Sequence, residues 1–129
     1  MNPPLLLIED NENNRYLATY LLEKRGWTVA HAADGPAGIA LASRCAPALI
    51  LLDIQLPEMD GYEVARRLKA DPALAGIPIV AVTSYAMRDD RESAVAAGCQ
   101  GYIEKPIDPD TFVDLVESHL RPAHRKDAR

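Results

Sequence analysis

A doubly wound α/β sandwich of five parallel strands and five helices is the fold that this 129-residue sequence predicts. Two observations carry it. Short apolar runs, such as Leu5-Leu6-Leu7-Ile8, Leu49-Ile50-Leu51-Leu52 and Ile79-Val80-Ala81-Val82, are separated by segments of helical length. Runs rich in Leu, Ile and Val, bounded by turn residues, mark strands buried on both faces, as in parallel sheets. Regular alternation of such strands with helices then places helices on both sides of one sheet.

Each element has its own local reason. The first strand takes residues 5–8. A helix over residues 13–25 follows, with Leu17, Leu21 and Leu22 at helical spacing and Gly26 as its stop. The second strand, residues 27–32, mixes polar and apolar residues as an edge strand does. The second helix opens after Asp34 with Pro36 in its first turn, and ends before Pro47. The third strand is residues 48–52. Its helix begins near Asp60-Gly61, turns Val64, Ala65 and Leu68 inward, and ends before Pro72. The fourth strand is residues 77–82, and a helix over 87–97 has a thin apolar face of Ala94, Val95 and Ala97 before Gly98. The fifth strand is residues 100–103. The last helix opens on Asp108 as cap with Pro109 at its first position, presents Phe112, Leu115 and Val116, and stops at Pro122. The expected organisation is one domain over residues 1–122 and a short basic tail over 123–129.

Composition narrows the function. The hydrophobic fraction of 48% and charged fraction of 26% are those of an ordinary globular domain. No apolar run approaches the ~20 residues of a membrane helix, and the start lacks the pattern of a signal peptide. A cytoplasmic protein is expected. Net charge of −5 argues against nonspecific nucleic-acid binding, which relies on clustered Lys and Arg. Cys45 and Cys99 match no metal or redox spacing and read as reduced packing residues. Trp27 and Phe112 likewise read as core. His31, His119 and His124 lie away from the strand ends that matter below, which argues against a histidine phosphodonor in this chain.

Four of the five strands stop at, or just before, polar residues suited to phosphoryl chemistry: Glu9-Asp10, Asp53, Thr83-Ser84, and Glu104 leading into Lys105-Pro106. In open α/β sheets, ligands bind outside the carboxyl ends of the strands, so these residues should converge. Glu9, Asp10 and Asp53 suit Mg²⁺, which prefers oxygen ligands and is usually held by one or two carboxylates plus phosphate. Three crowded acids repel one another without a cation. A carboxylate can also attack phosphorus to give an acyl phosphate. Thr83 can donate a hydrogen bond to a phosphoryl oxygen, and Lys105 can pair with another. Any one of these alone is an ordinary loop residue. All on one sheet edge is a different matter.

The segments resemble those of response-regulator receiver domains. Leu7-Ile8-Glu9-Asp10-Asn11-Glu12 is similar to the family's opening, and Leu51-Leu52-Asp53-Ile54-Gln55-Leu56-Pro57-Glu58-Met59-Asp60-Gly61 to its phosphorylation-site motif. Val82-Thr83-Ser84-Tyr85-Ala86 and Tyr102-Ile103-Glu104-Lys105-Pro106 resemble its remaining two signatures. The likeness runs from about residue 4 to residue 120. It implies a flavodoxin-like sheet of order 2-1-3-4-5, with Asp53 as phosphoacceptor. It also implies Glu9, Asp10, Asp53 and the Gln55 backbone carbonyl around Mg²⁺, with Thr83 and Lys105 on the phosphoryl group. Thr83 and Tyr102 would form the switch, and the Lys105–Pro106 bond would be cis, against a general frequency of about 5–6%. Glu9 stands where many receivers have Asp, so its carboxylate sits one methylene further out; this bears on metal affinity, not on class.

The implied protein is a single-domain response regulator of a bacterial two-component phosphorelay. It would take its phosphoryl group from a sensor histidine kinase or histidine phosphotransfer protein, and signal to a downstream protein through the face of helix four, strand five and helix five. It would be a monomer or a weak phosphorylation-dependent dimer, with no enzymatic activity beyond self-directed phosphotransfer and autodephosphorylation. A receiver fragment of a hybrid histidine kinase is an alternative. A Mg²⁺-dependent aspartyl phosphatase would need a second acid two positions after the nucleophile, where this chain has Gln55. A phosphorylation-independent module would lack an acceptor, acid or lysine, and all are present.

The spacing also bears on signal lifetime. Gln55 and Tyr85 lie two positions past Asp53 and Thr83, where their side chains would overhang a phosphoryl group. A tyrosine ring covers more approach angles for water than an amide does. Tyr85→Ala should therefore shorten the phosphoryl half-life while leaving the rate of phosphorylation unchanged; an unchanged or longer half-life would place Tyr85 elsewhere.

Overall fold

The computed structural model describes residues 3–84 and 88–120, the side chains of 88–90 apart. Along the chain run β1 (Leu5–Ile8), α1 (Glu12–Lys24), β2 (Val29–Ala32), α2 (Gly35–Cys45), β3 (Leu49–Asp53), α3 (Gly61–Ala70), β4 (Ile79–Thr83), α4 (Arg88–Ala96), β5 (Gly101–Glu104) and α5 (Phe112–Ser118). The strands form one parallel sheet of order β2-β1-β3-β4-β5.

Strand alternation sorts the core into two layers. Leu5, Leu7, Leu49, Leu51, Val80, Val82 and Ile103 face one side, covered by Ala18 and Leu22 of α1 and Phe112, Val113 and Val116 of α5. Leu6, Ile8, Ile50, Leu52, Ile79 and Ala81 face the other, under Ala42 of α2, Val64, Ala65 and Leu68 of α3, and Ala94 of α4. Each large aliphatic side chain so buried is worth about 1.5–3 kcal/mol. Cys99 joins the second layer, and burial pushes its thiol up to about 11, so it stays an unreactive packing group.

Three helix starts are capped by side chains: Asn11 accepts from the Asn14 amide at 2.9 Å, Asp34 from Ala37 at 2.8 Å and Asp60 from Glu63 at 3.0 Å. Two glycine stops are in the left-handed region, Gly26 at φ 105° and Gly98 at φ 104°. Gly61 serves a different end. A Cβ there would stand 2.5 Å from Ile54 Cα and 2.7 Å from the Asp53 carbonyl oxygen, so only glycine lets α3 close on the backbone that follows β3.

The last two helices depart from the sequence expectation. Val95 and Leu115 are 71% and 45% exposed rather than core. Ala94 and Ala97 already turn inward on α4, and Val95 is a ~100° step away. On α5 the inward stripe is Phe112, Val113 and Val116, which leaves Leu115 on the flank. Asp108 does not cap α5 directly. It accepts from the Asp110 amide at 2.9 Å and its carbonyl takes the Thr111 and Phe112 amides, forming a turn ahead of a helix that begins at Phe112. Trp27, placed in the second strand by sequence, precedes it and packs in the core. Pro122 and the 123–129 tail lie outside the described residues.

Trp27 also ties α5 to the α1–β2 corner. Its indole N–H donates to Glu117 Oε2 at 2.9 Å, while Arg25 donates to Glu117 Oε1 at 2.7 Å and to Asp114 Oδ1 at 3.1 Å. Glu117→Ala removes the acceptor for a buried indole and one partner of Arg25. It should cost about 1–3 kcal/mol, read as a lower melting temperature together with a red shift in the emission of the single tryptophan. An unchanged melting temperature would show that this link contributes nothing.

Candidate functional site

The topology brings the strand ends together as the sequence pattern requires. Ile8 pairs with Leu52, so Glu9 and Asp53 stand one step further along neighbouring strands. Asp53 pairs with Val82, which puts Thr83 one step beyond it at the end of β4. Thr83 in turn pairs with Glu104, and the Lys105 amide donates to the Thr83 carbonyl at 2.8 Å. That backbone bond carries Lys105 over the end of β4. Its Nζ lies 3.0 Å from Glu9 Oε1 and 3.3 Å from Asp53 Oδ2. The Lys105–Pro106 bond is cis.

Glu9, Asp53 and Thr83 are 3%, 2% and 1% exposed, whereas Asp10 faces solvent. Carboxylate oxygens of Glu9, Asp10 and Asp53 all fall within 4.8 Å of one another. Backbone amides hold the buried pair: Asn11 N–H donates to Glu9 Oε2 at 3.1 Å, and Gln55 N–H to Asp53 Oδ1 at 2.9 Å. Burial first, then the hydrogen bond and charge of Asp53, push the Glu9 carboxyl up to about 7, against the opposite pull of Lys105 and the Asn11 amide.

The donor set fits a hard divalent cation. All three acids offer oxygen, the kind of ligand that Mg²⁺ and Ca²⁺ take. Three carboxylates against the one lysine between them leave a formal charge of −2. The raised Glu9 reflects burial first and the hydrogen bond and charge of neighbouring Asp53 second.

Of the other residues singled out by sequence, the Gln55 side chain is exposed. Tyr102, on β5, is half-buried and lines a groove of about 320 Å³ with Arg91, Ala94 and Val95 of α4. The Arg91 guanidinium sits 5.4 Å from the centre of the Tyr102 ring. Tyr85 lies outside the described residues. Sequence reasoning passed over Asn11, whose amide holds the Glu9 carboxylate, and Arg15, which acts on the acid loop through its main-chain carbonyls. Arg15 Nη1 donates to the Glu9 carbonyl at 2.9 Å and the Asp10 carbonyl at 3.5 Å. Asn11 could have been found as a cap residue, whereas nothing in the sequence marks a bond to a main-chain oxygen.

The Glu9 shift makes a prediction about the metal-free protein. Its folded pKa, about 7, lies above its ordinary 4.5. The cost is therefore absent below about pH 4.5, grows as pH rises, and is complete above about pH 7. Glu9→Gln should stabilise the protein in chelator at pH 8 by on the order of 2–3 kcal/mol, read as a higher melting temperature, and the gain should fade toward pH 5. A gain that is equal at both values would mean that charge is not its cause.

Comparison with known proteins agrees with this geometry. The response regulator receiver domain model matches residues 5–117. The polar-differentiation response regulator DivK of Brucella ovis is 41% identical over 123 residues, 95% of this chain and 100% of that protein. The receiver domain of a sensor histidine kinase from Pseudomonas aeruginosa, solved with a magnesium ion in its active-site cleft, is 31% identical with a TM-score of 0.84, over 92% of this chain and 98% of that one. The chemotaxis protein CheY4 of Vibrio cholerae shares the fold with a TM-score of 0.89 at 24% identity, over 93% of this chain and 100% of that one. With the family model spanning nearly all of the sheet and every strand end that forms the acid pocket, the chain belongs to the response regulator receiver domain family.

Proposed function

We propose that this chain is a phosphorylation switch, in which Asp53 accepts a phosphoryl group from a sensor histidine kinase or histidine phosphotransfer protein. The observation that carries the reading is a buried Asp53 carboxylate, ending the central strand, with Lys105 3.3 Å away and two further acids within 4.8 Å. Asp53 oxygen attacks phosphorus, the P–N bond to the donor imidazole breaks, and an acyl phosphate forms. The Gln55 amide fixes Oδ1 of the nucleophile, so the carboxylate is oriented before the donor arrives. Lys105 moves its charge from the carboxylates to a phosphoryl oxygen as that oxygen arrives. Glu9, Asp10, Asp53 and the Gln55 carbonyl would hold Mg²⁺, which when bound neutralises charge on the transferring group.

Thr83 is the group placed to read the product, since it ends the strand beside Asp53. Its hydroxyl turning to the phosphoryl oxygen, with Tyr102 following, would shift a pre-existing equilibrium at the α4–β5–α5 face. That face would signal to a downstream protein. Gln55 and Tyr85 would set the lifetime of the phosphoryl group by controlling approach of water.

With acetyl phosphate and Mg²⁺, intact-mass spectrometry should find one phosphoryl group added, labile to base and hydroxylamine. Asp53→Asn should abolish the addition with the fold retained, and excess chelator should abolish it in the unaltered protein. Full incorporation in either case would refute the assignment. Steady turnover of generic phosphoesters would favour the phosphatase instead.

A further inference from the structure

We infer that Arg15 is a positioning residue for the acid pocket, which holds the Glu9–Asp10 stretch so that its carboxylates present correctly to a cation; this rests on the Mg²⁺ reading above. Arg15 lies in the first turns of α1, half-buried, and its own amide donates to the Asn11 carbonyl at 2.9 Å. From there Nη1 reaches back to two consecutive carbonyls, Glu9 at 2.9 Å and Asp10 at 3.5 Å. The Glu9 amide is already bound to Ala32 O at 3.0 Å, and the Glu9 carboxylate to the Asn11 amide at 3.1 Å. Arg15 thus holds the Glu9–Asp10 peptide plane, which those bonds leave free, and adds a longer bond to the Asp10–Asn11 plane that the Asn11 amide already ties to Glu9. Asp10 is the exposed member of the triad and has no burial to hold it. Groups that orient ligands without touching the metal commonly change affinity 10–100-fold when removed.

The inference is sharp because charge alone predicts the opposite sign. A guanidinium on the loop that carries the acids repels a divalent cation, so its removal would tighten binding if Arg15 acted only through its field. If it acts by positioning, its removal weakens binding.

The test uses the full chain and the metal alone. Mg²⁺ is titrated by calorimetry and by amide chemical shifts of Asp10, Asp53 and Gln55, in the unaltered protein, Arg15→Met and Arg15→Lys. Arg15→Met should raise the dissociation constant roughly 10-fold, with the shifts of Ala94 and Gly101 unmoved. Arg15→Lys keeps the charge but not the planar fork, and should fall between the two. Equal or tighter binding by Arg15→Met overturns the inference while leaving the Mg²⁺ reading intact. If Arg15→Met does not fold, Arg15→Lys decides: weaker binding supports positioning and unchanged affinity overturns it. No Mg²⁺ response in the unaltered protein would instead overturn the metal reading, and the inference with it.

Discussion

Two carboxylates, Glu9 and Asp53, are buried side by side at the dry end of an apolar sheet, and the structure around them is an answer to that constraint. Taking a charge out of water costs several kcal/mol even after relaxation. The cost is met by donors: the amides of Asn11 and Gln55, and the ammonium of Lys105, which touches both acids. These donors do not suffice, since Glu9 holds its proton up to about pH 7.

Strand order decides which residues take part. β1 and β3 are neighbours, so Glu9 and Asp53 meet without any further device. β5 is two strands from β3, and Lys105 must cross the end of β4 to reach Asp53. The bond from its amide to the Thr83 carbonyl is what makes the crossing short. It also sets Thr83 at the end of the strand that lies between those leading to Asp53 and Lys105. On the other side of the pocket, Gly61 lets α3 close on the backbone after Asp53, which seats the loop whose Gln55 amide holds Oδ1.

Much of this was legible in the sequence because it follows from patterns with a strict period. Runs such as Leu49 to Leu52 cannot be half-exposed, so the sheet and its burial on both faces follow, and the strand ends identify the acids, the hydroxyl and the lysine. Helix phase was less legible where the apolar stripe is thin. On α4, alanines carry the inward face and the larger Val95 points out, which reverses the ranking by hydrophobicity. On α5, a turn from Asp108 to Thr111 moves the helix start and leaves Leu115 at the flank. The tie from Trp27 to Glu117 spans 90 residues, and no local pattern announces it. Arg15 was hidden for a further reason: it binds carbonyls, and every residue has one.

The acid pocket and the lysine beside it make sense only as a pair. Three carboxylates alone would repel a phosphoryl group, whose oxygens are themselves anionic. One lysine cannot offset them, because its charge is already shared between Glu9 and Asp53. A divalent cation among the acids would cut the formal charge of that half of the pocket from −3 to −1 and release Lys105 from holding two carboxylates. The lysine would then be available to an incoming phosphoryl oxygen while Asp53 stays anchored by the Gln55 amide. Under the proposed function, cation binding and phosphoryl acceptance would be one property of the site: a change that spoils the acid half, at Glu9, Asp10 or the loop that Arg15 holds, would weaken phosphorylation without touching Asp53.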